Sequence, residues 1–472
     1  MSAARRDARR ESRSDKIKGQ INGAGAKRGK TRYNPGTAMK ALVLTILTTG
    51  VQQFANLASG LLAARLLLPD GRGALAVAIL WPTTLAYLML LGLNDAVLYY
   101  SANRQEPPRF VFAAALWLGL AASAVAMLVG YVVVVPLAYV DYPPATRELA
   151  SVLLLIIPFH ILGIVFQEML RGHHRMAAWN LLRVALGAGY VVLILGALSL
   201  GAATVTGFGV AYLLSHVPPL GLAVLLCVGA GWGGWRLHGA TVRRLLRYGA
   251  RIHLANVVSM LNGRIDQMLV AGTLSAGAMG LYVVAVTLSQ VTATLANSIT
   301  MVAWPRAAAA SEADRPPVIG RFLRLTLVLM IGTTALLYLA APYVVTLLFG
   351  GAFEAATPIV RILLLGALPI AVKEFFLLAF KAYDRTLAIS KGELATLAVN
   401  AALLATLIPA FGLTGAALAY VATRWLSALY LGWLMRRELG LRLTALLTPT
   451  RDDFDRLADA GRRGLRLVGL RA

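Results

Sequence analysis

Apolar stretches of 20 to 28 residues recur about twelve times along the chain, each closed by a short polar connection. They lie near 41–64, 74–100, 110–137, 149–170, 177–200, 204–228, 249–273, 280–304, 323–348, 358–381, 387–410 and 412–435. At 1.5 Å per residue each is long enough to cross a hydrocarbon core of roughly 30 Å. None shows the strict alternation of a barrel strand, and lipid penalises every unpaired backbone group, so the pattern predicts helices. The chain therefore reads as an all-α integral membrane protein of about twelve transmembrane helices. Composition agrees: 58% hydrophobic and 14% charged residues in a chain of 472 leave more apolar surface than a soluble domain can hide.

Charge gives these helices a direction. With twelve spans the connections alternate sides, and one side collects Arg104, Arg109, Arg171, Arg175, Arg236, Arg243, Arg244 and Arg247. Arg306, Arg315, Arg321, Lys381, Arg385, Lys391 and both basic termini follow on that side, against only Arg65, Arg72 and Arg147 on the other. The asymmetry predicts that the basic side, with both termini, is cytoplasmic. It also accounts for the net charge of +24 without nucleic acid as a partner. Residues 1–38 are polar and basic and read as a disordered cytoplasmic tail. The apolar stretch after them is too long for a signal peptide. In the tail 437–472, Phe454, Leu457, Leu465 and Val468 recur at helical spacing among Arg and Asp, as in a short helix lying on an anionic leaflet; a solvated basic tail is the competing reading. Cys227, the single cysteine, lies in an apolar span, so no internal disulfide can form.

Shifting the chain on itself by about 207 residues brings out a repeat. Gly73-Ala74-Leu75 aligns with Gly280-Leu281-Tyr282, and Gly207-Phe208-Gly209-Val210-Ala211-Tyr212 with Gly415-Ala416-Ala417-Leu418-Ala419-Tyr420. Arg171 and Arg175 correspond, with a small slip, to Lys381 and Arg385. Six is even, so the two halves run in the same sense. The expectation is two parallel six-helix lobes, 39–228 and 249–436, joined by a cytoplasmic linker 229–248. Such lobes suit alternating access around a site near the bilayer midplane.

Several stretches resemble a known family. Leu61-Leu62-Ala63-Ala64-Arg65-Leu66-Leu67-Leu68-Pro69-Asp70-Gly71-Arg72-Gly73-Ala74-Leu75-Ala76 looks like the junction of the first two spans in bacterial polysaccharide and O-antigen flippases of the multidrug/oligosaccharidyl-lipid/polysaccharide exporter superfamily. Leu91-Gly92-Leu93-Asn94-Asp95-Ala96 resembles the close of their second span. Tyr248-Gly249, then Ile265-Asp266-Gln267-Met268-Leu269-Val270, Gly280-Leu281-Tyr282-Val283-Val284-Ala285 and Trp304-Pro305-Arg306 carry the rest, over roughly 38–440. The resemblance implies a transporter in the bacterial inner membrane that moves a polyprenyl-diphosphate oligosaccharide from inner to outer leaflet. Membrane lipid and the polysaccharide polymerase and export machinery would be its other partners.

Ionisable residues deep in spans are expensive in lipid and are the natural candidates for such a path. Arg264, past the middle of the seventh stretch, suits bidentate binding of phosphate. Asp266, two residues on and facing the other way, could carry a coupling cation. Arg424 and His216 fall at matching depths of the two halves. Lys373 and Glu374 stand together in the tenth stretch, with a substrate or proton role. Gln53 and Asn56 could bind sugar hydroxyls. For each, a structural pair with a neighbouring helix is the plainer alternative. Arg65 and Arg72 flank a turn, Glu168 and Arg171 suit an i,i+3 pair, and Asn94 and Asp95 a cap. His173-His174 lacks the company a metal needs. No cofactor is expected, because no phosphate-binding glycine loop or paired acidic motif occurs. A drug exporter of the same superfamily and a membrane polysaccharide polymerase or glycosyltransferase are the rival functions. Carboxylates should dominate the first rival's cavity, and the second commonly carries a large extramembrane loop.

Overall fold

The computed structural model describes residues 35–448 apart from 313, 384, 385 and 442. Most of the tail 1–38, the proposed surface helix at Phe454–Val468 and Arg385 lie outside the described residues. Within them the chain is helical: α1 Pro35–Leu88, α2 Leu93–Asn103, α3 Pro108–Val129, α4 Pro144–Leu153, α5 Ile156–Gly172, α6 Met176–Ser199, α7 Val205–Ser215 and α8 Val217–Gly229. The second half continues with α9 Gly239–Asn262, α10 Ile265–Thr273, α11 Ala276–Ala309, α12 Arg315–Phe349, α13 Thr357–Leu364, α14 Ala367–Ala382, α15 Thr386–Leu439 and α16 Leu443–Leu447.

Eight helices are long and apolar enough to cross a membrane, or nine if Leu44–Leu88 and Leu93–Asn103, bent by 49° to one another, form one span. Two features separate this count from the twelve apolar stretches. The 54-residue helices α1 and α15 each run through a sharp break, at Leu68 (φ 60°, ψ 176°) and at Gly412 (φ 57°, ψ −133°). Helix α9 carries Arg243, Arg244, Arg247 and Arg251, which dilute its apolar character. It also starts at Gly239, so the second half of the expected linker 229–248 is helical. Large apolar side chains face outward along these helices: Leu225, Leu336 and Leu339 are 69%, 67% and 71% exposed. In water that surface would be a liability; in lipid it is the solvated face.

Contacts sort the helix ends into two groups. At one end, Arg65 donates to the Leu347 and Leu348 carbonyls, and Tyr142 Oη donates to the Ala271 carbonyl at 2.6 Å. There the start of the stretch after Leu68 meets α11 backbone to backbone. A Cβ on Gly73 would strike the Ala276 carbonyl, and one on Gly280 would strike the Pro69 carbonyl. At the opposite, basic end, the His173 ring lies 4.0 Å from Trp232, and Phe110 stacks on His238 at 4.8 Å. Nearer that end Gly92, at φ 68°, faces the Gly249 backbone, and Asn256 Nδ2 donates to Asp95 Oδ2 at 2.7 Å.

Glu106 anchors α9 to the first half. Its buried carboxylate accepts from Thr241 Oγ1 at 2.6 Å and from Arg244. Glu106→Ala leaves the buried Thr241 hydroxyl without this acceptor and is expected to cost about 1–3 kcal/mol. Thermal unfolding in detergent should show it as a lower midpoint, whereas Ala at the exposed Glu148 should change little.

Candidate functional site

Two adjoining cavities lie where the two halves of the chain meet. The first, of about 320 Å³, is lined by Arg72, Ser59 and Thr83 from α1 and by Arg264, Gln267 and Thr287 from the second half, among others. Arg264 reaches it because the chain leaves helical geometry between α9 and α10, at Gly263 and at Arg264 itself (φ −137°). From that joint its Nη1 donates across to Thr83 Oγ1 at 2.8 Å and Thr84 Oγ1 at 3.4 Å, and its guanidinium lies 5.3 Å from the centre of the Tyr87 ring. Both hydroxyl protons are committed to carbonyls one turn back, Ile79 and Leu80, which leaves the oxygen lone pairs for Arg264. Arg72, near the start of the helical stretch after Pro69, is the second guanidinium in the lining, and its Nε is buried without a partner among the described residues. Among the described residues, no Asp or Glu lines this cavity. Two cations without a facing carboxylate, in a low-dielectric setting, select for an anion.

The second cavity, about 470 Å³, is an apolar groove between α1 and α11 lined by Phe54, Leu57, Val286, Val291 and Leu295. It shares Asn56, Gln267, Val283 and Thr287 with the cationic cavity, so the two run into each other. Phe54, 73% exposed, stands at the mouth of the groove.

Arg264 and Asn56 thus line the cationic cavity, and Gln53 lines the groove, where its Nε2 donates to Thr294 Oγ1 at 3.3 Å. Asp266 points away from Arg264, as the helical spacing predicts. It is buried and accepts from Tyr282 Oη at 2.7 Å, with Arg424 close enough to act on it electrostatically. Arg424 lies 4.7 Å from the Tyr420 ring centre, inside the second half, and does not line the cationic cavity. His216 lines a third cavity within the first half, so the matched depths of Arg424 and His216 do not bring them together. Lys373 pairs with Glu393 at 2.6 Å and not with its neighbour Glu374, which faces Arg171 and Lys381 in a cavity at the basic end. Glu168 and Arg171 form their i,i+3 pair at 3.2 Å.

Arg72, Thr83, Thr84 and Tyr87 were not foreseen as site residues. Adjacent threonines in the middle of an apolar stretch were the available signal, and for Arg72 its place just after a helix-breaking Pro.

The long broken helices and the joint at Arg264 belong to a fold that solved membrane transporters share. The structure resembles the lipid II flippase MurJ in an inward closed conformation, with a TM-score of 0.73 and 14% identity over 86% of this chain and 89% of that one. A multidrug resistance MATE transporter in an inward-facing conformation gives a TM-score of 0.65 and 16% identity over 84% and 95% of the two chains. A superfamily transporter from Pyrococcus furiosus gives 0.60 and 15% over 87% and 97%. The chain belongs to the polysaccharide biosynthesis protein family, whose model matches residues 62–358. No curated protein sequence matches it.

Proposed function

We propose that this protein is a flippase for a lipid-linked oligosaccharide, which moves a saccharide joined through diphosphate to a polyprenol from the inner to the outer leaflet by alternating access. Its helices form twelve spans in two parallel six-helix lobes, with α1 and α15 each contributing two spans across their breaks and α9 with α10 contributing one. The basic end and both termini lie in the cytoplasm. The observation that carries the reading is the union of a carboxylate-free cavity holding Arg72 and Arg264 with an apolar groove that opens beside Phe54. A diphosphate suits the first and a prenyl chain the second, so an anionic lipid with a phosphate head fits the pair. An organic-cation exporter would need acidic groups where this cavity has guanidiniums. An inside-negative membrane potential would favour outward movement of the anion by about 2.3 kcal/mol per charge per 100 mV.

The test is flipping in liposomes of a fluorescent polyprenyl-diphosphate oligosaccharide by the purified protein. Val286→Trp, which fills the groove, is expected to slow flipping at least tenfold while binding of a water-soluble sugar diphosphate persists. Folded wild-type protein that flips no such lipid would remove this reading.

A further inference from the structure

The cationic cavity and groove account for a diphosphate and a prenyl chain but leave the saccharide without a place. Within the first half, a third cavity of about 300 Å³ is lined by Gln52, Gln167, Glu168, Arg183, His160 and His216, among others. It adjoins the cationic cavity through shared neighbours. Tyr87 lines the third cavity while lying under Arg264, and Tyr212 lines the cationic one while its ring meets that of His216 edge-on at 4.9 Å.

The imidazole of His216 fixes the chemistry of this space. Its Nδ1 lies 2.8 Å from the Tyr212 carbonyl, an oxygen that can only accept, so Nδ1 carries the proton and Nε2 holds a lone pair. His216 is 4% exposed, and that Nε2 is buried with no partner among the described residues. His160 Nε2 is likewise buried and unpartnered, and the two rings lie 5.6 Å apart. A buried acceptor left open is costly, so the pocket is built for something that brings a donor. A proton is one such donor. It would add positive charge between Arg183, which shares the lining, and Arg264, which is near enough to act on His160. The Glu168 carboxylate is already engaged by Arg171. A neutral hydroxyl satisfies Nε2 without added charge, and the amides of Gln52 and Gln167 offer further donors and acceptors to a molecule bearing many hydroxyls.

We propose that this cavity receives the saccharide of the lipid-linked substrate, with His216 Nε2 accepting a hydrogen bond from a sugar hydroxyl. The proposal rests on the flippase reading and assigns the glycan to the first half of the chain, beside the diphosphate held by Arg264 and Arg72.

The experiment measures binding to the full-length protein in nanodiscs of bare polyprenyl diphosphate and of a panel of polyprenyl-diphosphate di- and trisaccharides built on glucose or N-acetylglucosamine. Wild type should bind at least one glycolipid five- to twentyfold more tightly than the bare lipid. His216→Leu should erase that preference while keeping bare-lipid affinity, which also certifies its fold, and His216→Gln should restore part of it. Arg264→Ala should weaken all the lipids alike. Equal loss for bare lipid and glycolipid in His216→Leu overturns the assignment, as does a wild type blind to sugar. A variant that keeps the sugar preference and loses only the pH dependence of transport makes the site a proton site instead. Wild type that binds none of these lipids overturns the flippase reading together with this one.

Discussion

Arg264→Ala should lower the affinity for a polyprenyl diphosphate, and the rate of its flipping, by roughly ten- to hundredfold. The side chain supplies charge-assisted hydrogen bonds worth about 1.5–3 kcal/mol in a setting where no water can replace them. Its hydrogen bonds to Thr83 and Thr84 already aim the guanidinium, so little ordering is left to do on binding. Arg264→Lys keeps the charge but not the planar fork and should recover only part of the loss. Arg424→Ala is the informative contrast. That residue sits with Tyr420, Tyr282 and Asp266, away from the cavity lining, so its loss should lower thermal stability and leave lipid affinity within about twofold. Unchanged affinity in Arg264→Ala would remove the cationic cavity as the binding site.

Gly73→Leu should abolish closure at the Pro69 end. The backbone of α11 occupies the space a side chain would need, and Ala276 lies opposite with its carbonyl, which cannot move as a flexible side chain can. Gly280→Leu should act in the same way against Pro69. The readout is crosslinking between Tyr142→Cys and Ala271→Cys, a pair joined at that end by the Tyr142 hydrogen bond, with the buried Cys227 changed to Ser. At least a fivefold fall in crosslinking, with transport lost, is expected. Crosslinking at the wild-type level with normal transport would show that this contact is not a gate.

These contacts explain which parts of the architecture were legible in the sequence. The stretches that carry the family resemblance are where backbones from the two halves touch. Pro69 to Gly73 meets Ala276 to Gly280, and Leu91-Gly92 meets Gly249. Glycine is required at such points for space, so those positions stand out in an otherwise interchangeable apolar sequence. Apolar run length located the helices for the same reason, since lipid imposes one length on all of them. The site was less legible. A deep arginine is visible as an expense, but whether it faces a cavity, as Arg264 does, or packs beside Tyr420 near Asp266, as Arg424 does, depends on helix rotation, which one sequence does not encode. Arg72 was assigned to a turn because depth was counted from the ends of an apolar run, and the helix resumes directly after Leu68. Lys373 found its carboxylate on another helix, at Glu393, a pairing that proximity in sequence hides.

The glycine contact at the Pro69 end also bears on what can loosen the protein. Gly73 and Gly280 are 207 positions apart, as are Pro69 and Ala276, and the contacts exchange these equivalents: Gly73 meets Ala276, and Gly280 meets Pro69. The seam is built of carbonyls and α-carbons, and the Asp70 carboxylate lies at its edge beside Gly277. The opposite side of the molecule is fastened by side chains, Asp95 with Asn256 and Glu106 with Arg244, the second an ion pair that salt can screen. Ionic strength can therefore loosen that side, whereas the backbone contacts of the glycine seam depend on how closely the two helices that carry them approach.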